Sequence, residues 1–371
     1  LHFDAIHIVN QQSVFTNNSA KFGGCLHIVD GGIIHSTECK FKQNTAKVNG
    51  GVVHIYDTDL VLNRNCVFEG NTAMKGGSIH GTNIKQVINF DTTYLSNTAD
   101  TAGGALWVFE AGNITNIRTA FLDNKVTDIS KDYLGGAGGM YLDYVKSVIN
   151  IQCTCRKNIG INGGVLSMKY VGIVRNINCT FIENYAYSGA GVVNLVYGQC
   201  LTNSHCLFSN NSVFDGEGTI FVDRCKTVIS INSVWRLNDA YHRESSVLFV
   251  HVDIIVNVKC IYIHNFVPVY VYKSTNITMH ECSFIRNEAK LGGALYVQKL
   301  KHIWIQKCRC IGNRANDLGG AFYIDSAIAL SISICMFTAS FATSSGSCIR
   351  SHNVNKIYIR NSVFLNNNST T

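Results

Sequence analysis

One phrase recurs along the 371 residues, and it is clearest at 282–297: Cys-Ser-Phe-Ile-Arg-Asn-Glu-Ala-Lys-Leu-Gly-Gly-Ala-Leu-Tyr-Val. Written generally it is C-x-F-x-x-N-x-A-x-x-G-G-A-h-x-h, with h apolar. An aromatic residue stands three places before an asparagine from Phe15/Asn18 to Phe364/Asn367. Cys155 and Cys310 take the aromatic place in two copies, and Ser340 takes the asparagine place in one, giving 14 units. Successive asparagines are 26 or 27 residues apart, with two exceptions. The step from Asn124 to Asn158 is 34, which reads as an insertion around 125–133. The step from Asn265 to Asn287 is 22, a shortened coil without the glycine pair and with the only proline, Pro268. A fixed period of this size specifies a solenoid.

Within each unit, apolar residues alternate with period two, the pattern of a strand. One run precedes the cysteine place, as at 173–181, and one follows the glycines, as at 103–108. No unit carries a helical stripe. Short strands in turns of about 26 residues predict an all-β fold, a right-handed parallel β-helix of about 14 coils. A leucine-rich repeat is the alternative, and its L-x-x-L-x-L signature is absent. The cysteine and aromatic places are expected to point inward and stack coil on coil. The asparagine can bond to its own equivalent one coil away, as in stacked-strand ladders. The glycine pair permits a turn that a Cβ would obstruct.

A solenoid is exempt from division by length, because each coil touches only its neighbours. Residues 1–371 are therefore expected to form a single domain, with coils ~4.8 Å apart stacking to roughly 65 Å. Neither end shows a polar cap, so the chain reads as a segment of a longer protein. Net charge is +7 with 15% charged residues and no Lys/Arg block, which does not suggest a nucleic-acid partner. No apolar run is long enough to span a membrane.

The 15 cysteines fall into columns rather than into disulfide or zinc spacings. Cys39 and Cys66 share one place on adjacent coils, as do Cys153, Cys179 and Cys206. Ser13, Thr92, Thr119, Ser233 and Ser362 occupy it elsewhere. Buried free thiols are the expectation, since free cysteine packs as a small hydrophobe. Cys200 and Cys225, outside the column, are the candidate disulfide.

If Leu106 and Val108 face inward, the residue between them faces out. That column reads His27, His54, His80, Trp107, Tyr141, Ser167, Asn194, Phe221, Phe249, Tyr296 and Tyr323. His27, His54, His80, Trp107, Tyr141, Tyr296 and Tyr323 are the candidate binding stripe, for protein or glycan. Three stacked imidazoles do not converge as a tetrahedral metal site requires, so no metal and no cofactor is expected. Acidic residues close the same strand at Asp30, Asp57, Glu110, Asp143, Asp223 and Asp325. Aspartate at a turn is the ordinary reading, and no catalytic residues are assigned. Asn113-Ile-Thr and Asn276-Ile-Thr are the candidate glycosylation sites, each eight residues before its aromatic.

F-x-x-N alternating with G-G-A-[ILV] resembles the repeat region of the chlamydial polymorphic outer-membrane proteins. The likeness is carried by Phe284–Asn287 with Gly292-Gly293-Ala294-Leu295, and by Tyr94–Asn97 with Gly103-Gly104-Ala105-Leu106. Looser copies extend it over nearly the whole chain, and similar repeats occur in large β-helical surface proteins of unicellular eukaryotes. The resemblance implies a surface-displayed β-helix acting in adhesion, and supplies no catalytic residues. The expected function is thus a non-enzymatic extracellular or cell-surface protein, an adhesin or structural rod that binds a protein or glycan surface or assembles with itself. A β-helical polysaccharide lyase or hydrolase and an intracellular scaffold are the alternatives.

Overall fold

The computed structural model describes residues 2–3, 7–129, 136–240, 246–266 and 268–370. The expected insertion at 125–133 thus lies in part outside the described residues. The chain divides into two compact units, Leu1–Val196 and Tyr197–Thr371. Each is a parallel β-helix, and no helix occurs among the described residues.

In the first unit three parallel sheets run past one another coil by coil. The long sheet contains twelve-residue strands such as Val53–Arg64, Ile79–Phe90 and Leu106–Ile117. They pair in register, Val53 beside Ile79 and Ile79 beside Leu106. A short sheet holds the aromatic place, in three-residue strands such as Val67–Glu69 and Thr93–Leu95. The third sheet holds strands such as Thr72–Lys75 and Thr98–Ala102 and leads into the glycine pair. The second unit repeats this plan. Its early long-sheet strands are split in two, as at Ile220–Asp223 and Thr227–Ile231, whereas Leu295–Gln306 and Phe322–Ser333 run unbroken.

The aromatic place is the spine of each core. Phe41, Phe68, Tyr94 and Phe121 stack at centroid distances of 4.7, 4.8 and 5.1 Å, and Phe208, Trp235, Tyr262 and Phe284 do likewise at 5.1, 4.7 and 4.9 Å. Where Cys310 breaks the second spine, Phe322 fills the space edge-on between Phe284 and Phe337. Phe322 begins a long strand, a place that leucine, isoleucine, valine or methionine holds on other coils.

The asparagine place forms the expected ladder. In the first unit it runs Asn18, Asn44, Asn71, Asn97, Asn124, Asn158 and Asn184. Each amide donates to the side-chain oxygen of the next at 2.9–3.1 Å. The backbone N–H donates to the same oxygen. A second buried ladder joins Asn63, Asn89, Asn116, Asn150 and Asn176 through amide bonds of 2.8–2.9 Å. It lies inside the long sheet.

The small place is a hydrogen-bond donor position, which explains its mixed occupancy. Cys66 donates its thiol to the Ser36 carbonyl at 3.3 Å, and Thr92 and Thr119 donate hydroxyls to Asn63 and Asn89 carbonyls at 3.2 and 3.1 Å. The two glycines of the pair serve different needs. Gly103 has φ +66°, and a Cβ there would lie 2.2 Å from the Leu106 oxygen. Gly104 has ordinary φ, but its Cβ would lie 2.2 Å from the Gly138 oxygen one coil on.

Candidate functional site: an outward ring ladder

In the first unit His27, His54, Trp107 and Tyr141 are half-buried, and His80 is buried with 5% of its surface exposed. The register sets them side by side on successive coils. Ring centroids are 4.9 Å apart from His27 to His54 and from His54 to His80, 4.2 Å from His80 to Trp107, and 6.0 Å from Trp107 to Tyr141. The planes of His80 and Trp107 differ by 8°. His54 and His80 are tilted by 44°, but the other neighbouring rings lie face to face along the stack and turn edges rather than faces to solvent.

The ladder is half-covered because side chains reach across from the strand before the glycines. Phe22 stacks on His27 and His54 at 5.9 and 5.2 Å, and the Lys75 ammonium lies 5.3 Å from the Trp107 ring. Burial lowers the His54 pKa to about 4, with the nearby His27 adding to the fall. Burial lowers that of His80 to about 3, with His54 and Lys75 as lesser causes. Both imidazoles are therefore neutral at neutral pH, and the Nδ1 atom of each is buried without a hydrogen-bond partner. Among the described residues no group of three or more His, Cys, Asp or Glu is placed to hold a metal ion.

The second unit has a shorter ladder, and it contains a residue that the repeat did not reveal. Tyr270 lies 4.4 Å from Tyr296 at an interplanar angle of 3°, and Tyr296 meets Tyr323 at 5.3 Å edge-on. Tyr270 belongs to the shortened coil. That coil lacks the glycine pair, so the column could not be counted there. Phe249 is a correction. Leu248, not Phe249, lies beside Phe221 in register, and Phe249 is buried in the core with 2% exposed. The coil enters this strand from Ser246 without the glycine pair, and the phase shifts by one residue.

A more exposed aromatic ridge escaped the sequence pattern. Tyr144 and Tyr170, 51% and 39% exposed, stack at 4.7 Å, and Phe109 meets Tyr144 edge-on at 5.7 Å. Tyr144 and Tyr170 have φ of 54° and 51°, at the bend within the long sheet where Asp30, Asp57 and Glu110 also lie. Left-handed backbone suits aspartate through its local hydrogen bonding, so the turn reading of those acids fits. The six acidic residues do not share one column, however. Asp143 stands beside Phe109 and Asp325 beside Gln298, one place earlier than Asp30. Asp143 is raised above the usual carboxylate range by burial, with Lys169 opposing the shift.

Asn113 is exposed and accepts a bond from the Ser147 hydroxyl at 2.7 Å, whereas Asn276 is half-buried. All 15 cysteines are free, and Cys200 alone is not buried. The proposed pairing of Cys200 with Cys225 is corrected by the register: Thr227 lies beside Cys200, and the Cys225 thiol turns to the Thr227 carbonyl at 3.5 Å. Burial pushes the Cys66 and Cys225 thiols up to about 11.

No family model matches the chain. The likeness to the polymorphic outer-membrane proteins therefore rests on the repeat residues alone. An 89-residue segment, 24% of the chain, is 29% identical to the metabotropic glutamate receptor-like protein P of Dictyostelium discoideum. The match spans 6% of that protein's length. Among the described residues no helix is long and apolar enough to cross a membrane.

Proposed function

We propose that this chain is a non-enzymatic recognition segment of a cell-surface or extracellular protein. It contacts a protein or glycan surface, or a second copy of itself, along the outward ring ladders. The observation that carries this reading is the ladder itself. Large rings hold the solvent side of the long sheet on consecutive coils, from His27 to Tyr141 and from Tyr270 to Tyr323. Partly wetted aromatic side chains, Trp and Tyr above all, are enriched at contact surfaces. The receptor-like name of the Dictyostelium relative supports a surface location.

An intracellular scaffold is the second reading, and the 15 free thiols favour it. Disulfides persist in oxidising compartments, and unpaired cysteines are commoner in reducing ones. Beads coated with the purified chain and scored for attachment to one another and to cultured cells test the first reading. Trp107→Ala with Tyr296→Ala is expected to reduce attachment at least several-fold while the circular dichroism spectrum stays that of the parent. Undiminished attachment by the folded double variant removes the ladders from the function. Glycan found at Asn113 in the secreted chain would exclude the scaffold.

A further inference from the structure

Each unit has a cleft at the bend within its long sheet, and the two clefts are opposite in charge. In the first unit a cleft of about 410 Å³ is lined by Asp30, Asp57, Asp59, Asn83 and Lys85. Its acids are partly satisfied: Asn83 donates to Asp57, and the Lys85 ammonium is 2.6 Å from Asp59. In the second unit the cleft is about 540 Å³. Lys273, Lys299 and Lys301 line it, and no Asp or Glu does.

The basic cleft is built from equivalent places on successive coils. The Lys273 N–H donates to the Gln298 carbonyl at 2.9 Å, which sets Lys273 beside Lys299. The Lys301 N–H donates to Thr275 at 3.0 Å. Three exposed ammonium groups thus gather on two neighbouring coils, and among the described residues none has a carboxylate at ion-pair distance. Two other lysines of this unit are paired: Lys259 and Lys307 flank Glu281 at 3.8 and 3.6 Å. Lys273 and Lys299 also have φ of 49° and 59°. Asparagine or aspartate relieves such backbone by bonding locally, and lysine brings no such gain. Like charges placed together without counter-charge form a focused positive potential that draws anions.

The rest of the lining narrows the ligand. Thr275, Ser326, Asn353 and Asn355 offer hydroxyl and amide groups, and Ile328 supplies an exposed aliphatic surface. Among the described residues no aromatic ring lines the cleft, and the ring beside it, Tyr272, is covered by the Lys273 ammonium at 5.0 Å. Single-stranded nucleic acid binds largely by stacking bases on such rings, so the lining favours sugar over base. The lining comes from four successive coils, at 273–275, 299–301, 326–328 and 353–355. At ~4.8 Å per coil it extends roughly 14 Å, suited to an extended chain. We propose that the Lys273–Lys299–Lys301 cleft binds an acidic polysaccharide carrying sulfate or carboxylate groups. The proposal is independent of the ring ladders.

Titration calorimetry of the whole chain with heparin fragments, polygalacturonate, neutral dextran and a single-stranded oligonucleotide tests it. At least one acidic glycan is expected to bind. Lys273→Ala, Lys299→Ala and Lys301→Ala together should weaken it about tenfold or more and flatten its salt dependence, since fewer counterions are released. The matched triple Lys40→Ala, Lys47→Ala and Lys146→Ala removes the same charge elsewhere and should change affinity less than about twofold. Heparin alone binding assigns sulfate, and polygalacturonate alone assigns carboxylate. Equal loss in both triples, no binding of either acidic glycan, or oligonucleotide binding as tight as glycan overturns the proposal. Should the first triple fail to fold, Lys299→Gln carries the same comparison against Lys40→Gln.

Discussion

Replacing Asn97 by alanine tests the ladder at a point where every bond is known. The Asn97 amide donates to the Phe68 carbonyl and to the Asn124 side-chain oxygen, both at 2.9 Å. Its own oxygen accepts the Asn71 backbone N–H at 3.0 Å and the Asn71 amide at 2.9 Å. Alanine strands two buried donors on Asn71 and leaves the Phe68 carbonyl without its amide. Each stranded buried group costs about 1–3 kcal/mol, and the side-chain volume is lost too. We expect a loss of about 3–5 kcal/mol. Urea unfolding followed by circular dichroism gives the total, and hydrogen exchange at the Asn71 amide gives the local effect. Asn113→Ala is the control, because Asn113 is exposed and accepts one bond from Ser147. Surface changes of that kind fall within about 0.5 kcal/mol. If Asn97→Ala matches Asn113→Ala, or Asn71 exchanges no faster, the ladder does not hold the coils together.

The stacked histidines make stability depend on pH. Their folded pKa values, about 4 for His54 and about 3 for His80, lie below the unfolded value of about 6.5. As pH falls through that window the unfolded chain binds protons that the folded chain does not, so this stability is full above the unfolded value, declines across the window and is lost below the folded values. His80→Gln should flatten urea midpoints between about pH 6.5 and about pH 4, and an unchanged slope would mean His80 is not buried neutral. A thiol reagent should modify Cys200 readily and the buried cysteines only after denaturation. Rapid native modification of most of the 15 would contradict the donor role of the column. Gly103→Ala and Gly70→Ala separate crowding from backbone strain. Both have positive φ, but the nearest atom to a Cβ on Gly70 is 3.7 Å away. Gly70→Ala should cost about 1 kcal/mol and Gly103→Ala clearly more, and equal costs in urea unfolding would assign the whole effect to φ.

The parallel coils, the aromatic spine and the first asparagine ladder were legible in the sequence, because each repeats at one period and occupies one environment. The second ladder was not. Asn63, Asn89, Asn116, Asn150 and Asn176 lie within period-two strands, and a lone asparagine there reads as an outward polar residue. Only the register shows that these five face inward and bond to each other. The ring stripe was legible where the glycine pair fixes the phase, from His27 to Tyr141. It was lost at Phe249 and Tyr270, where that pair is missing. The basic cleft was hidden for a different reason. Lys273, Lys299 and Lys301 are spread over 29 positions of sequence, and only coil stacking gathers them.

The asparagine ladder and the backbone ladders beside it run in one direction, from coil to coil, so they determine how a unit responds to tension. In the first unit, force that draws one terminal coil away loads the bonds at one interface, such as those between Asn18 and Asn44, before it reaches the next. Coils should therefore peel in sequence rather than fail together. Most events free the 26 or 27 residues between ladder asparagines, about 90 Å of extended chain, and the step from Asn124 to Asn158 frees 34. The unit would act as a step-wise extensible spring, with rupture force varying from coil to coil according to how much of the ladder each interface holds.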